Sequence, residues 1–408
     1  MPDTWTLYTP HDIAGLAKDG LVIGPFGSNL KTSDYRDEGV PLVFVKDIRA
    51  QNFSRPRAYV STAKAAALEA HQVLPGDILI TKMGDPPGDV ALYDADVPAI
   101  ITADCIRLRP TSRFDRKYLV HSLRTPDARR QIDAITTGAA QKKVSLDRFR
   151  SRLHISAPSV VEQKRIAAVL DQVEALRAKR REAIALLDDL SRSIFLDMFG
   201  DPASLSSPWG RKKIGELGVV VTGNTPSRAK AENYGDGIEW IKTDNIRPPD
   251  LNPSEATERL SAVGEGVGRV VPAEAILVTC IAGSPASIGN AALAGRRVAI
   301  NQQINAFITE GSLPRFMLEQ IRIGKGLIQR KSTGAMTGLV NKTQFSSIAL
   351  LVPPVGTQQE FVHRVERVDI ERARNAQHLA TLDELFTSLQ HRAFSGTLWD
   401  HEATGEAA

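Results

Sequence analysis

Long apolar runs are missing from this chain. No stretch of eighteen apolar residues occurs in its 408, so no segment is expected to span a membrane. The opening MPDTWTLYTP lacks the basic start and apolar run of a secretory signal, which points to a cytoplasmic protein. Cysteine is nearly absent. Cys105 and Cys280 cannot build a metal site by themselves and read as inert thiols in a reducing compartment. The eight histidines are scattered, with no HExxH and no paired metal spacing, so no metal is expected. A phosphate-cradling GxxxxGK[ST] is also lacking, which excludes a nucleotide-driven motor of that type in this chain. These absences favour a non-catalytic protein with no cofactor of its own.

The remaining composition is that of an ordinary globular protein, 42% hydrophobic and 24% charged, and long enough for two or three domains with separate cores. The net charge of +4 says little, but its distribution says more. Residues 107–152 hold thirteen Lys and Arg against four Asp, and Arg315, Arg322, Lys325, Arg330, Lys331 and Lys342 face only Glu319. A solvated helix face explains one such window. Two at equivalent places suggest a polyanion surface in each half.

Those places are equivalent because the chain repeats once. TTGAAQKKVSLDRFRSRLHISAPSVVEQKRI (136–166) returns as STGAMTGLVNKTQFSSIALLVPPVGTQQEFV (332–362), offset by 196 residues. Thr137, Gly138 and Ala139 meet Thr333, Gly334 and Ala335; Val144, Phe149, Pro158 and Gln163 meet Val340, Phe345, Pro354 and Gln359. A single repeat of this size indicates two globular domains alternating with two helices, not a solenoid.

Each copy leads into a helical pattern that stops at a glycine, Gly200 or Gly396. The first seam reads Ile166, Val169, Val173, Leu176, Ala183, Leu187, Leu190, Ile194 and Asp197 or Met198, with Arg180 as intruder. The second reads Phe361, Val365, Val368, Arg372, Asn375, Leu379, Leu382, Phe386, Leu389 and Ala393. Alternating three and four residue steps mark a coiled-coil seam. A helix of roughly 38 residues is about 57 Å long and needs a partner, which the other copy supplies. Chain geometry makes the pair antiparallel, with an approximate twofold axis relating the copies. The expected domains are 1–158 and 200–354, the helices 159–199 and 355–396, and a loose tail 397–408 with Trp399 as an anchor.

The globular segments share a frame. Each opens on a tryptophan, Trp5 or Trp209, followed by a glycine-rich loop, GPFGSNLKTSDY (24–35) or TGNTPSRAKAENYGDG (222–237). Strand-like segments follow, LVFVKDIRAQNF (42–53) and IEWIKTDNIRPPD (238–250), then GDILITKMGDPPGDVAL (76–92) and AILVTCIAGSPASIGNAAL (275–293). Apolar strands, Gly and Pro turns and a closing helix predict a mixed α/β (α+β) fold for each copy. The loops diverge more than the frame does.

The Trp-led domain, the TG-A loop, Pro158 with Glu162 and Gln163, Pro353 and Pro354 with Gln358 and Gln359, and the long helix follow one another in both copies. From Trp5 to Gly396 this order resembles the specificity subunit of type I restriction-modification systems. The resemblance implies that each globular copy is a target recognition domain reading one half of a bipartite site in double-stranded DNA. It implies that the helices form an antiparallel spacer on which two modification (methyltransferase) subunits dock. Those partners would bind S-adenosylmethionine and methylate adenine. A restriction or motor subunit using ATP and Mg would join for cleavage. The chain departs from the family where Ala157 precedes Pro158, where Thr357-Gln358 replaces a glutamate, and where the second TG-A loop lacks lysines.

Phosphate contacts set register and base-edge contacts set sequence. TGAAQKKVS offers a glycine turn, free amides and two lysines before an expected helix N-cap at Ser145, a start that favours an anion. Lys142 and Lys143 are therefore assigned to phosphate, with Thr137 and Gly138 shaping the loop; Thr333, Gly334 and Lys342 are their counterparts. Base readers should be amide and guanidinium side chains on the divergent loops, which match purine edges in pairs. Candidates are Ser28, Asn29, Lys31, Lys46 and Lys82 in the first copy. In the second they are Asn224, Thr225, Arg228, Lys242, Asp244, Asn245, Gln302 and Gln303, although 301–303 could simply cap a strand end. GDPPGDV (84–90) has a superficial likeness to the DPPY of adenine methyltransferases, but Gly88 stands where an aromatic would stack on an extruded base. The competing reading is a protein-binding coiled-coil scaffold that makes no DNA contact.

Overall fold

The computed structural model describes residues 5–15, 19–138, 142–204, 206–333 and 338–399. The chain forms two compact units, Met1–Lys179 with Leu379–Ala408, and Arg180–His378. Each therefore contains a piece of both long helices, Val160–Phe199 and Val355–Ser395.

In the first unit, Leu21–Ile23, Cys105–Leu108, Ile78–Thr81 and Val90–Leu92 lie side by side as an antiparallel sheet. A second sheet runs Tyr59–Val60, Val40–Val43, Ala99–Ile101, Gln72–Val73, with its middle pair parallel. The second unit repeats this plan. Gly218–Thr222, Ile304–Thr309, Ile276–Thr279 and Ala291–Leu293 form one sheet, and Arg259–Leu260, Tyr234–Ile241, Val298–Ile300 and Arg269–Val271 the other. Ile78–Thr81 and Ile276–Thr279 are buried at every position, which is why ILIT and ILVT read as unbroken apolar runs rather than alternating ones. Leading strands close each unit: Thr6–Tyr8 pairs with Ile155–Ala157, and Arg211–Lys213 with Ala349–Leu351. Cys105 and Cys280 are buried free thiols, and burial pushes both up to about 12, so neither is a thiolate at neutral pH.

The helix pieces belong to these cores. Ile166, Ala167, Leu170 and Ala393 share one cluster with Ile78, Ile106 and Phe149. In the second unit, Phe195, Phe199, Phe316 and Phe361 bring their rings together with centroids 5.0 to 5.9 Å apart. Each such pair contributes about 0.5–1.5 kcal/mol beyond burial. The two helices run antiparallel within each unit: Glu162 meets Trp399 and Arg177 meets Asp383 in the first, whereas Arg180 meets Asn375 and Phe199 meets Phe361 in the second.

The second helix buries or half-buries every position of its expected seam. The first does not. Leu176 and Leu190 are each 43% exposed, while Leu170, Phe195 and Phe199, outside that seam, are fully or almost fully buried. A straight helix drifts off a 3.5-residue repeat, and its ends pack into sheet cores as well as against its partner. The polar intruders meet one another. Arg180 donates to Asn375 Oδ1 at 3.0 Å, and Arg372 to Asp188 at 2.6 Å. Both helices end on left-handed glycines, Gly200 (φ 77°) and Gly396 (φ 80°).

A buried glutamine ties each long helix to its unit. Gln163 Oε1 accepts from the Asp115 amide at 2.8 Å, and its Nε2 donates to the Pro158 carbonyl at 2.9 Å. Gln358 does the same with Leu313 (3.0 Å) and Pro353 (2.9 Å). The counterpart of Gln163 is thus Gln358, not the exposed Gln359, so the repeat slips by one residue before the helix.

Candidate nucleic-acid interface

Each unit gathers its divergent loops at one end of its sheets. In the first, Leu21–Ile23, Val40–Val43, Ile78–Thr81 and Ala99–Ile101 all finish there, because Gly24 donates to the Cys105 carbonyl, Thr102 to Val43, and Lys82 to Asp104. Loop 24–35, the short helix Val45–Ala50, loop 82–89 and the hairpin Thr136–Thr137 with Lys143–Val144 therefore share an edge. The hairpin docks on loop 82–89: Val144 donates to the Lys82 carbonyl at 2.8 Å, and Lys142 Nζ pairs with Asp85 at 3.0 Å. Gly24 is required here, since a Cβ would lie 1.9 Å from the Thr102 carbonyl oxygen. Gly223 repeats the device against Asn301, at 2.0 Å.

On this edge Ser28, Asn29, Lys31, Lys46, Gly138, Lys142 and Lys143 are exposed, with Lys82 and Thr137 half-buried. Among the described residues Lys46, Lys82 and Lys143 form no ion pair, leaving their charge available to a polyanion. Gly138 takes φ 105°, which fits a loop-shaping role. Ser145 is at the N-cap, but its side chain makes no capping bond, and the helix it precedes, Leu146–Arg152, is short. The first amides of this helix are thus left uncapped by Ser145, and with so short a helix the phosphate assignment rests chiefly on the lysines. Arg49, which sequence reasoning passed over, pins loop 82–89 by donating to Asp89 and to the Pro86 carbonyl, both at 2.8 Å. Its spacing of three from Lys46 on one helix was the available signal.

The second unit is built differently at the same end. Arg228 grips Glu258 with both terminal nitrogens, at 2.9 and 3.1 Å, and Lys242 Nζ closes on the same carboxylate. Those two bonds hold the Glu258 carboxyl down at about 2. Both cations also lie over the Trp240 ring, at 5.7 and 4.9 Å. One carboxylate thus neutralises half of their charge. Glu258 lay outside the loops scanned for candidates, because nothing in the sequence marks an acid sixteen residues beyond Lys242 as its partner.

Asn245 is a correction. It is buried, accepts from the Lys242 amide at 3.0 Å and donates to the Glu255 carbonyl at 3.0 Å, so it folds its own loop and cannot read a base. Asn224 is half-buried; it donates to Val267, and its Oδ1 is buried without a hydrogen-bond partner among the described residues. Gln303 accepts at its carbonyl from Cys280 and bonds Asn301 through its side chain, a strand-end role. Thr225 bonds the exposed Gln302, and Asp244 is exposed. Thr333 bridges to Leu339, and Lys342 is exposed in the helix Lys342–Ser346. Gly334, like Ala139 and Ala335, lies outside the described residues.

The basic windows also resolve differently from expectation. Arg107 is buried and donates to the carbonyls of Gln72 and Asp19. Arg109 pairs with Asp77 at 2.7 Å, Lys117 with Asp171 at 2.7 Å, and Arg124 holds the Val90 carbonyl at 2.8 Å. In the second unit Arg315 sits between Glu319 (3.0 Å) and Asp369 (2.9 Å), and Arg322 holds the Ala291 carbonyl at 2.9 Å. Much of this charge fastens helices to sheets and to the long helices. It is not a continuous surface.

Among the described residues no group of three His, Cys, Asp or Glu could hold a metal ion, and no helix is long and apolar enough to cross a membrane. The chain matches the family model for the type I restriction modification DNA specificity domain twice, at residues 40–186 and 206–383. It is 28% identical over 200 residues to the HindI specificity subunit of Haemophilus influenzae, an alignment covering 47% of this chain and 42% of that one. Over 395 residues it is 23% identical to the StySPI specificity subunit of Salmonella potsdam, covering 89% and 83%. The crystal structure of the type I restriction-modification S subunit from M. genitalium superposes with TM-score 0.59 at 14% identity, covering 97% of each chain. A chain from a structure addressing assembly and conformational transition of the type I R-M system gives 0.56 at 17%, covering 98% and 99%. At such identities the likeness shows the fold.

Proposed function

The chain belongs to the family of type I restriction-modification DNA specificity subunits, and from that premise we propose that each unit reads one half of a bipartite duplex site. The observation that carries this reading is the gathering of divergent loops at the same end of two matching frames. A shared scaffold with different loops is what readers of two different half-sites require. Lys142 and Lys143 meet phosphates in the first half, while Ser28, Asn29, Lys31, Lys46 and Lys82 approach base edges. In the second half Thr225, Arg228, Lys242, Asp244 and Gln302 occupy the equivalent edge. The long helices set the gap between half-sites, roughly one duplex turn or about 34 Å.

In this reading the chain supplies no catalytic group. Two methyltransferase subunits dock on the helices, bring S-adenosylmethionine and methylate adenine; a motor subunit with ATP and Mg joins them where cleavage occurs. Mapping methylated adenines in cells carrying this chain and its methyltransferase partner tests the proposal, with a split, asymmetric motif modified on both strands as the expected result. Affinity of the complex for that duplex should also fall steeply between about 50 and 200 mM salt. A scaffold without DNA contact would yield an unsplit or absent motif and salt-insensitive assembly.

A further inference from the structure

Phe26 is 68% exposed, and among the described residues no other aromatic side chain is left so open. Its loop is nonetheless firmly built. The Asn29 amide donates to the Phe26 carbonyl at 2.8 Å, and Pro25 on one side and Leu30 on the other are buried. Leu30 and Tyr35 pack into a small core with Leu42, Val60 and Ile100, and Tyr35 sets its ring edge-on to Phe44. Gly24 is locked against the Thr102 carbonyl. An anchored loop thus presents one large apolar side chain to solvent, beside Ser28, Asn29 and Lys31, on the edge that also carries the unpaired Lys46, Lys82 and Lys143.

We infer that Phe26 is an aromatic wedge that packs against the base stack of the half-site held by the first unit. The inference rests on the DNA-reading proposal above and deepens it. Duplex DNA is the occupant because Ser28, Asn29 and Lys31 flank the ring and the lysines of the edge, Lys31, Lys46, Lys82, Lys142 and Lys143, outnumber its exposed acids Asp85 and Asp104, Asp85 being paired with Lys142, which suits a polyanion whose base faces are apolar. Apolar side chains set between base steps unstack them locally and bend the duplex. Among the described residues nothing equivalent stands in the second unit. There the aromatics beside loop 223–230 are turned inward: Trp240 is buried and donates to the Asn224 carbonyl, Tyr234 donates to Pro226, and Arg228 covers both rings. The distortion is therefore confined to one half of the target.

The test uses the full chain bound to its methyltransferase partner. Probes are duplexes carrying the split target found by methylation mapping, with 2-aminopurine placed at successive positions of each half-site. The complex should raise fluorescence in one half-site only. Phe26→Ala should abolish that rise and weaken binding on the order of tenfold, the scale of one lost aromatic–base stack. Phe26→Trp should restore both. The slope of log affinity against log salt should be the same for all three proteins, because no charge is lost. Phe26→Ala binding and fluorescing like the parent would overturn the wedge, as would weaker retention of the methyltransferase subunit with DNA affinity per complex unchanged. Should the parent complex show no salt-dependent duplex binding, the DNA-reading proposal itself falls; a binding parent with an indifferent Phe26→Ala sinks the wedge alone.

Discussion

Glu258 holds two cations, Arg228 and Lys242, on the loop edge of the second unit. Its carboxyl is pulled from the ordinary 4.5 to about 2 by Arg228 and then Lys242. A carboxylate depressed in this way lends its support above the ordinary value and loses it only as pH falls through about 2. From pH 5 to 8 the clamp therefore stays closed. Exposed ion pairs contribute little to stability, so Glu258→Gln should leave the melting temperature within a degree or two while releasing two cations. Titration of non-target duplex by fluorescence anisotropy should show a salt slope steeper by roughly 0.9, for the one net positive charge gained, and tighter binding, hence poorer discrimination. An unchanged slope would mean that neither cation faces phosphate. Asn245 shows why such distinctions escape sequence reading: it shares its loop with Lys242 and Asp244 and has a base reader's chemistry, yet the loop's own amides and carbonyls consume it.

At the scale of elements, the glutamine clamps are the most exacting part of the repeat. Gln163→Ala or Gln358→Ala removes the partner of a backbone amide and a backbone carbonyl that are at least half-buried, which should cost about 1–3 kcal/mol in the unit concerned. Gln359→Ala should stay within about 0.5 kcal/mol, as expected at an exposed position. Urea titration of the three variants checks the contrast, and equal losses at 358 and 359 would restore the gapless alignment. Much of the fold was legible before the structure: the paired frames, the strands, both helices and their glycine stops follow from periodicity and backbone demands that a sequence displays directly. The one-residue slip did not, because adjacent glutamines are chemically identical and only burial separates them. The basic windows misled for a related reason. A linear count cannot tell Arg107, enclosed by carbonyls, from Lys143, which faces solvent. In the first long helix, the residues that fill sheet cores, such as Phe195 and Phe199, fall outside a seam drawn for a two-helix contact alone.

For the whole molecule, the division of the chain makes a sharp demand. The first unit is discontinuous, Met1–Lys179 with Leu379–Ala408, whereas the second, Arg180–His378, is one continuous segment. Ending the chain after His378 removes Ala393 and Leu398 from the first core and the packing of Phe386, Leu389 and Phe394 beside it. Limited proteolysis with hydrogen exchange should then find the first unit opened and the second still protected. Equal protection of both would show that the C-terminal piece is dispensable. The same discontinuity orders events on the ribosome. The first lobe is translated early but must wait without Phe394 against Tyr118 and Phe386 against His121 while about 200 further residues are made, a delay of roughly 10–40 s at about 5–20 residues per second. The later lobe can close before the earlier one, and over that interval a nascent-chain chaperone would have its most exposed client surface on the half of the protein that was synthesised first.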